Sequence, residues 1–142
     1  MNKEHTAALI ENFPELYRDY YLPPTQSCMH WGFECGDGWF EHINLLSVML
    51  SSYLKQNPEI KEGFRVNQVK EKYGTLRYYV TGGDEHTSNL IYLFEITSYF
   101  YCEKCGSTED VKSTKGWISY LCKKCRVAKK ETNCDGCCTE DK

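Results

Sequence analysis

Apolar residues recur along the first hundred positions with helical spacing in three segments and with strand alternation in one. The first segment predicts a helix over residues 6–17, which Pro23 and Pro24 prevent from extending further. The second predicts a long helix over residues 39–56, with Asp37 as its N-cap and Pro58 just beyond its end. The third predicts a helix from a cap at Asp84 to about residue 101.

The breadth of the apolar stripes predicts that the long helix is central and mostly buried. The apolar stripe of this helix comprises Phe40, Ile43, Leu46, Leu50 and Leu54, and Leu45, Val48 and Met49 widen it. One face of the following helix has the same character. It comprises Leu90, Leu93, Phe94, Thr97, Phe100 and Tyr101.

Alternating positions predict two strands, residues 64–71 and 75–80, joined in a hairpin around Lys72, Tyr73 and Gly74. Leu76, Tyr78 and Val80 are expected on one face, with Arg77 and Tyr79 on the other. The fold class predicted is therefore α+β, with helices packed on a small antiparallel β-hairpin sheet. The segment over residues 29–38 is expected to be a loop.

Composition divides the 142 residues into three parts. The chain is 41% apolar and 26% charged, which is typical of a globular protein. The net charge is −5 over residues 1–101, +5 over 102–130 and −3 over 131–142. These shifts predict a main α+β domain, a small basic module and a flexible, acidic, cysteine-rich tail. No apolar run approaches the ~20 residues that span a bilayer, and no secretory signal is visible, so we expect a cytoplasmic protein without membrane contact.

Four of the nine cysteines carry the strongest chemical signal. Cys102 and Cys105 form one C-x-x-C pair, and Cys122 and Cys125 form a second pair sixteen residues later. Two such pairs supply a tetrahedral thiolate shell for a structural Zn²⁺, with no position left for a substrate. Two disulfides and a rubredoxin-type iron site are the alternatives. The order of pair, hairpin, pair and helix is typical of a zinc ribbon or a treble clef.

The basic module has a second interpretation, which is nucleic-acid binding. Lysine and arginine neutralise phosphates, and Trp117 and Tyr120 offer rings for stacking. The alternative is that the lysines offset the charge of −2 on a tetrathiolate zinc site. The basic residues are Lys104, Lys112, Lys115, Lys123, Lys124, Arg126, Lys129 and Lys130.

A loop rich in glycine and aromatic residues, over residues 31–40, suggests a ligand site. Trp31 and Trp39 offer stacking faces, and amides near Gly36 and Gly38 would hold anionic oxygens at a helix N-terminus that includes Asp37. The alternative is a loop whose two tryptophans anchor it in the core, with Asp37 serving only as the cap.

The hairpin would complete that site. Lys70, Lys72 and Arg77 would neutralise phosphate, and the ring of Tyr73 would stack. A solvated basic face is the alternative. The function favoured is non-catalytic binding of a nucleotide-like small molecule or a host protein. An alternative is a phosphodiesterase-type enzyme that uses Glu34, Asp37, Glu41 or His42.

Three strings together resemble a family of small uncharacterised proteins encoded in phage and bacterial genomes. They are WGFECGDGW at residues 31–39, QVKEKYGTLRYY at residues 68–79, and the first cysteine pair with the GWI and LC strings that end at Cys122. The resemblance covers roughly residues 29–125. It implies a phage accessory protein in a bacterial host cytoplasm, and by analogy an inhibitor of host defence.

Overall fold

The computed structural model describes residues 1–134, with side chains described to residue 130, so the predicted tail lies largely outside the described residues. None of the helices in this part of the chain combines the length and the apolar character needed to cross a membrane. The helices are α1 (Lys3–Asn12), α2 (Phe40–Gln56), α3 (Pro58–Lys61), α4 (Glu85–Thr97) and α5 (Lys123–Cys134). The strands are β1 (Phe33–Glu34), β2 (Arg65–Lys72), β3 (Thr75–Thr81), β4 (Lys112–Ser113) and β5 (Tyr120–Leu121).

The first helix is shifted towards the N-terminus relative to the prediction. The side chain of Asn2 caps α1 by accepting a hydrogen bond from the amide of His5 at 2.8 Å. The helix ends at Asn12 because Pro14 cannot donate to the helical ladder and disfavours helical geometry at Phe13. The predicted continuation to residue 17 is therefore wrong, and a short 3₁₀ turn over Arg18–Tyr21 follows instead.

The predicted hairpin is present, and it belongs to a three-stranded mixed sheet. Strands β2 and β3 are antiparallel around a two-residue turn, Tyr73 and Gly74, with φ of +54° and +82°. Such a turn matches the right-handed twist of the strands. Strand β1, in the segment expected to be a loop, pairs in parallel with the other edge of β2.

The main core lies between the sheet and α2. Alternation along β3 places Leu76 and Tyr78 inside, as predicted, in the same buried cluster as Ile43 and Leu46 of α2. The buried hydroxyl of Tyr17 lies 3.0 Å from that of Tyr78 and 2.6 Å from Ser47 Oγ. Burial raises the pKa of Tyr17 to about 12, so this polar cluster is neutral at physiological pH.

Helices α2 and α4 lie side by side and antiparallel. His42 Nε2 near the start of α2 donates to the carbonyl of Phe94 at 2.8 Å, and Tyr53 near its end donates to Asp84 at 2.5 Å. Asp84 also caps α4, as predicted, in a reciprocal capping box with Thr87.

Several apolar side chains of the two helices, and of the 3₁₀ turn Ser98–Phe100 that follows α4, are exposed to solvent, which corrects the predicted burial. Leu93 and Phe100 are 54% and 53% exposed. Leu45, Val48 and Met49 of α2 are also exposed. Helical spacing identifies the residues that share a face, but each helix here packs on the core through a narrower stripe than its apolar positions occupy.

The cysteine-rich module has its own small cluster of buried residues. Strands β4 and β5 form a short hairpin, and α5 begins at Lys123, between the two cysteines of the second pair. Trp117 and Ile118 lie in the segment that connects the two strands. The cluster comprises Cys102, Leu121, Cys122 and Cys125, with Val111 packed against it. So few apolar side chains give little hydrophobic stabilisation, which is typical of modules that depend on a metal.

Candidate metal centre and its surroundings

The four cysteines of the two pairs converge on one point. Their sulfur atoms all lie within 4.8 Å of one another, and Cys105 Sγ lies 3.7 Å from Cys122 Sγ. A tetrahedral zinc site with Zn–S bonds of about 2.3 Å places its sulfurs about 3.8 Å apart. The donor set and spacing therefore fit one metal ion held by four thiolates.

Local backbone structure presents the sulfurs. The amide of Gly106 donates to the carbonyl of Cys102 at 2.8 Å, which closes the first C-x-x-C turn. Cys122 directly follows β5, and Cys125 lies in the first turn of α5. Three of the four cysteines are buried, and Cys105 is exposed. Four protein ligands leave no open coordination position, so this arrangement suits a structural site.

The electrostatic environment favours a thiolate at Cys122. A hydrogen bond from the backbone amide of Cys125 lowers the pKa of the Cys122 thiol to about 7. Thiolates, rather than thiols, are the metal ligands.

The glycine-rich loop packs against the first cysteine pair rather than facing solvent. Gly38 N donates to the carbonyl of Glu103 at 2.8 Å, and Gly36 N donates to the Glu103 carboxylate at 3.1 Å. A β-carbon on Gly38 would lie 2.0 Å from the carbonyl oxygen of Cys102. The expectation that these two amides hold ligand oxygens is wrong, because both already have protein partners.

Trp31 and Trp39 also do not form a shared stacking face. Trp39 is fully buried and donates from Nε1 to the carbonyl of Tyr101 at 3.3 Å, so its predicted role in stacking on a ligand is wrong. Trp31 is 64% exposed and packs edge-on against His30.

Asp37 binds the N-terminal segment instead of capping the long helix. Its Oδ1 accepts from the amide of Asn2 at 2.6 Å and lies 3.3 Å from His5 Nδ1. The Asn2 hydrogen bond is the main cause of the lowered pKa of this carboxyl. Gly36 occupies the cap position of a 3₁₀ turn, Asp37–Trp39, that leads into α2.

A groove lined by cationic side chains, here called the basic groove, lies between the β4 side of the module and α5. Its volume is about 530 Å³. Six cationic side chains line it: Lys112, Lys115, Lys123, Arg126, Lys129 and Lys130. Asp110 pairs with Lys112 at 2.9 Å and with Arg126 at 2.8 Å. Among residues 1–130, whose side chains are described, Lys115, Lys123 and Lys130 form no ion pair.

A second groove, here the junction groove, separates the tip of the β2–β3 hairpin from the turn over residues 114–118. Its volume is about 540 Å³, and Gly116 and Ile118 form part of its wall. The other residues that line it are Glu34, Lys70, Glu71, Lys72, Tyr73 and Trp117.

The structure brings three of the predicted hairpin residues into this groove. Lys70 and Lys72 line it beside Tyr73, and Lys72 Nζ lies 5.7 Å from the centre of the Tyr73 ring. Arg77 pairs in register with Lys70 across the hairpin, but its guanidinium donates to Thr75 Oγ1 at 2.8 Å and to the Leu76 carbonyl at 2.7 Å.

The residues considered for acid–base catalysis lie in different environments. His42 is buried between Phe94 and Tyr101, and burial lowers its pKa. Glu41 is exposed, whereas Glu34 accepts from Gln68 Nε2 at 3.0 Å. This dispersion does not favour the phosphodiesterase alternative.

Sequence reasoning missed the part that Glu103 plays. This residue lies between the first two cysteines and holds the glycine loop through both its carbonyl and its carboxylate. The contact between Gly36 and Glu103 spans 67 positions of the chain, and no local pattern signals it. Likewise, nothing in the sequence indicates that Trp117 and Tyr73 line the same groove.

Comparisons with protein-family models, with curated proteins and with solved structures find no match to this chain.

Proposed function

We propose that this chain is a non-catalytic nucleic-acid-binding protein whose cysteine-rich module is organised by a structural Zn²⁺. The observation that carries the proposal is the basic groove, in which six cations line one concave surface. Phosphate neutralisation by clustered lysine and arginine is the main source of affinity in sequence-independent nucleic-acid binding.

Zinc is the ion that the donor set favours. Four thiolates at tetrahedral spacing suit Zn²⁺, and the order of cysteine pair, hairpin, cysteine pair and helix agrees with a zinc ribbon or a treble clef. Bound zinc would fix the β4–β5 hairpin and α5 relative to each other. It would therefore hold the two walls of the basic groove in place.

Charge neutralisation of the zinc site does not account for all of these lysines. A tetrathiolate zinc centre carries −2, whereas the module carries eight basic residues against three acidic ones. Lys115, Lys123 and Lys130 are free of ion pairs within the described part of the chain, so they are open to an external anion.

The test compares two double variants of equal charge within one module. Lys123 and Lys130 line the basic groove, whereas Lys104 and Lys124 are exposed outside its lining. Binding of a fluorescent 20-nucleotide DNA is measured by anisotropy between about 50 and 200 mM salt. The change K123A/K130A is expected to weaken binding about tenfold or more and to reduce the salt slope by about 2.

The control variant K104A/K124A should bind with nearly the wild-type affinity and salt slope. An equal loss in both variants would show that net charge, not the groove, carries binding, and would contradict the proposal. Elemental analysis of each protein should give one zinc per chain, which establishes that the metal centre is intact in both.

The predicted phage context and the action against host defence rest on the family resemblance and stay predictions. A nucleotide-like small molecule is the second candidate ligand, because Lys70, Lys72 and Tyr73 line the junction groove as one set. Isothermal titration with a nucleoside triphosphate tests that candidate directly.

A further inference from the structure

We infer that the junction groove accepts an unpaired nucleobase, so that the protein selects single-stranded over double-stranded nucleic acid. This inference rests on the proposed nucleic-acid binding. It assigns phosphate contact to the basic groove and base contact to the junction groove.

Two exposed aromatic rings in one groove are the first observation. Tyr73 is 74% exposed and Trp117 is 78% exposed, and both line the junction groove. They come from separate parts of the chain: Tyr73 lies at the hairpin tip, and Trp117 lies in the turn between β4 and β5. Base–aromatic stacking is the interaction by which proteins commonly bind unpaired bases.

Both rings are carried by turns that the backbone holds firmly. Tyr73 has φ of +54° in the two-residue hairpin turn, whose Gly74 amide donates to Glu71 Oε1 at 2.6 Å. The carbonyl of Trp117 accepts from Thr114 Oγ1 at 2.6 Å. A β-carbon on Gly74 would lie 2.9 Å from Ile118 Cγ2, so the two turns are in close contact. Because the backbone of both turns is already held in place, a ligand that stacks here has to order the two side chains but not the turns.

The polar lining suits a base edge better than a phosphate. Lys70 and Lys72 are balanced by Glu34 and Glu71, so the formal charge of these four side chains is zero. Ammonium groups donate to base carbonyl and ring-nitrogen acceptors, and carboxylates accept from exocyclic amines. Glu34 and Glu71 each use Oε1 in a protein hydrogen bond, and within residues 1–134 their second oxygens have no such partner.

The two grooves adjoin across a single turn. Thr114 and Lys115 line the basic groove, whereas Gly116 and Trp117 line the junction groove. A nucleic-acid single strand that crosses this turn can place its phosphates beside Lys115 and a neighbouring base beside Trp117. A duplex can use only the first set of contacts, because its bases are already paired and stacked.

The experiment measures the affinity of the full chain with zinc bound for one fluorescent 12-nucleotide DNA, as a single strand and as a duplex, by anisotropy at fixed salt. Wild-type protein is expected to bind the single strand about tenfold more tightly. W117A should weaken single-strand binding by about tenfold while duplex binding changes less than about twofold. The variant W117F should keep most of the wild-type affinity for the single strand, because phenylalanine retains an aromatic ring.

W31A is the matched control, since Trp31 is also exposed but packs against His30. It should leave both affinities unchanged. In a W31F background the only exposed tryptophan among the described residues is Trp117, so quenching of its emission by the single strand and not by the duplex would support stacking.

The outcomes separate this inference from the proposed function. Equal affinity for single strand and duplex, with W117A no different from W31A, would overturn the base site and leave the basic groove standing. Absence of binding to either DNA would overturn both. Selective loss of single-strand binding in W117A would support both.

Discussion

Single glycines in this protein determine how closely two parts of the chain approach. At Gly38 the backbone lies against the turn that carries Cys102 and Cys105, and its amide donates to the carbonyl of Glu103. Any side chain would meet main-chain atoms, which cannot swing aside as the end of a flexible side chain can. The same glycine that suggested an anion-binding loop therefore serves the contact between the main core and the cysteine-rich module.

The change Gly38→Ala should destabilise the protein by about 1–3 kcal/mol, because the new methyl group overlaps the backbone of the first cysteine pair. Gly63→Ala is the matched control, since a β-carbon there meets nothing within 4 Å. Urea denaturation measures both free energies of unfolding. If Gly63→Ala lowered the free energy of unfolding as much as Gly38→Ala does, this account of the close approach would be contradicted.

Among the elements, α4 shows most clearly how packing differs from apolar pattern. Its buried residues are Thr87, Leu90 and Ile91, whereas Leu93, in the same apolar run, is exposed. The helix is apolar on more than one side, and only one side contacts α2 and the sheet. Leu90 and Leu93 therefore offer the same side chain in two environments three residues apart.

Leu90→Ala should cost about 2–5 kcal/mol of unfolding free energy, because it opens a cavity in the core. Leu93→Ala should change it by less than about 0.5 kcal/mol, because that side chain is exposed. Thermal and urea unfolding of both variants tests the difference. If Leu93→Ala were as destabilising as Leu90→Ala, its side chain would have to be buried in solution.

For the whole molecule, the metal centre is expected to stabilise more than its own module. The module's buried cluster is small, and the glycine loop of the main core donates two hydrogen bonds to Glu103 beside the ligands. Loss of metal should therefore loosen this loop as well as the cysteine pairs, because structural zinc binding is coupled to folding.

Chelation of the metal should abolish hydrogen-exchange protection at the Gly38 amide and the Trp39 indole, whose acceptors are the carbonyls of Glu103 and Tyr101. Amides paired between β2 and β3 should stay protected and serve as the internal control. Returning zinc should restore the lost protection. Unchanged protection at Gly38 after complete metal removal would show that the loop is held independently of the centre.

The sequence by itself determined the features that depend on local spacing. Two C-x-x-C pairs fix which four thiols can meet, and apolar alternation places Leu76 and Tyr78 on the inner face of β3. Asp84 marks the start of α4 because capping is a contact between residues three positions apart. Pro14 is also a local signal for the end of α1, although the helix predicted over residues 6–17 runs past it.

The tertiary structure decided everything that depends on residues far apart in the chain. It buried Trp39 and exposed Trp31, directed the amides of Gly36 and Gly38 to Glu103, and placed Tyr73 and Trp117 in the lining of one groove. The sequence does not distinguish an exposed ring from a buried one, or a free amide from one that already donates to a protein acceptor. Burial and hydrogen-bond partners are set by the packing of distant segments. Local spacing thus identified the four cysteines that can hold a metal ion, and long-range packing determined which side chains remain exposed.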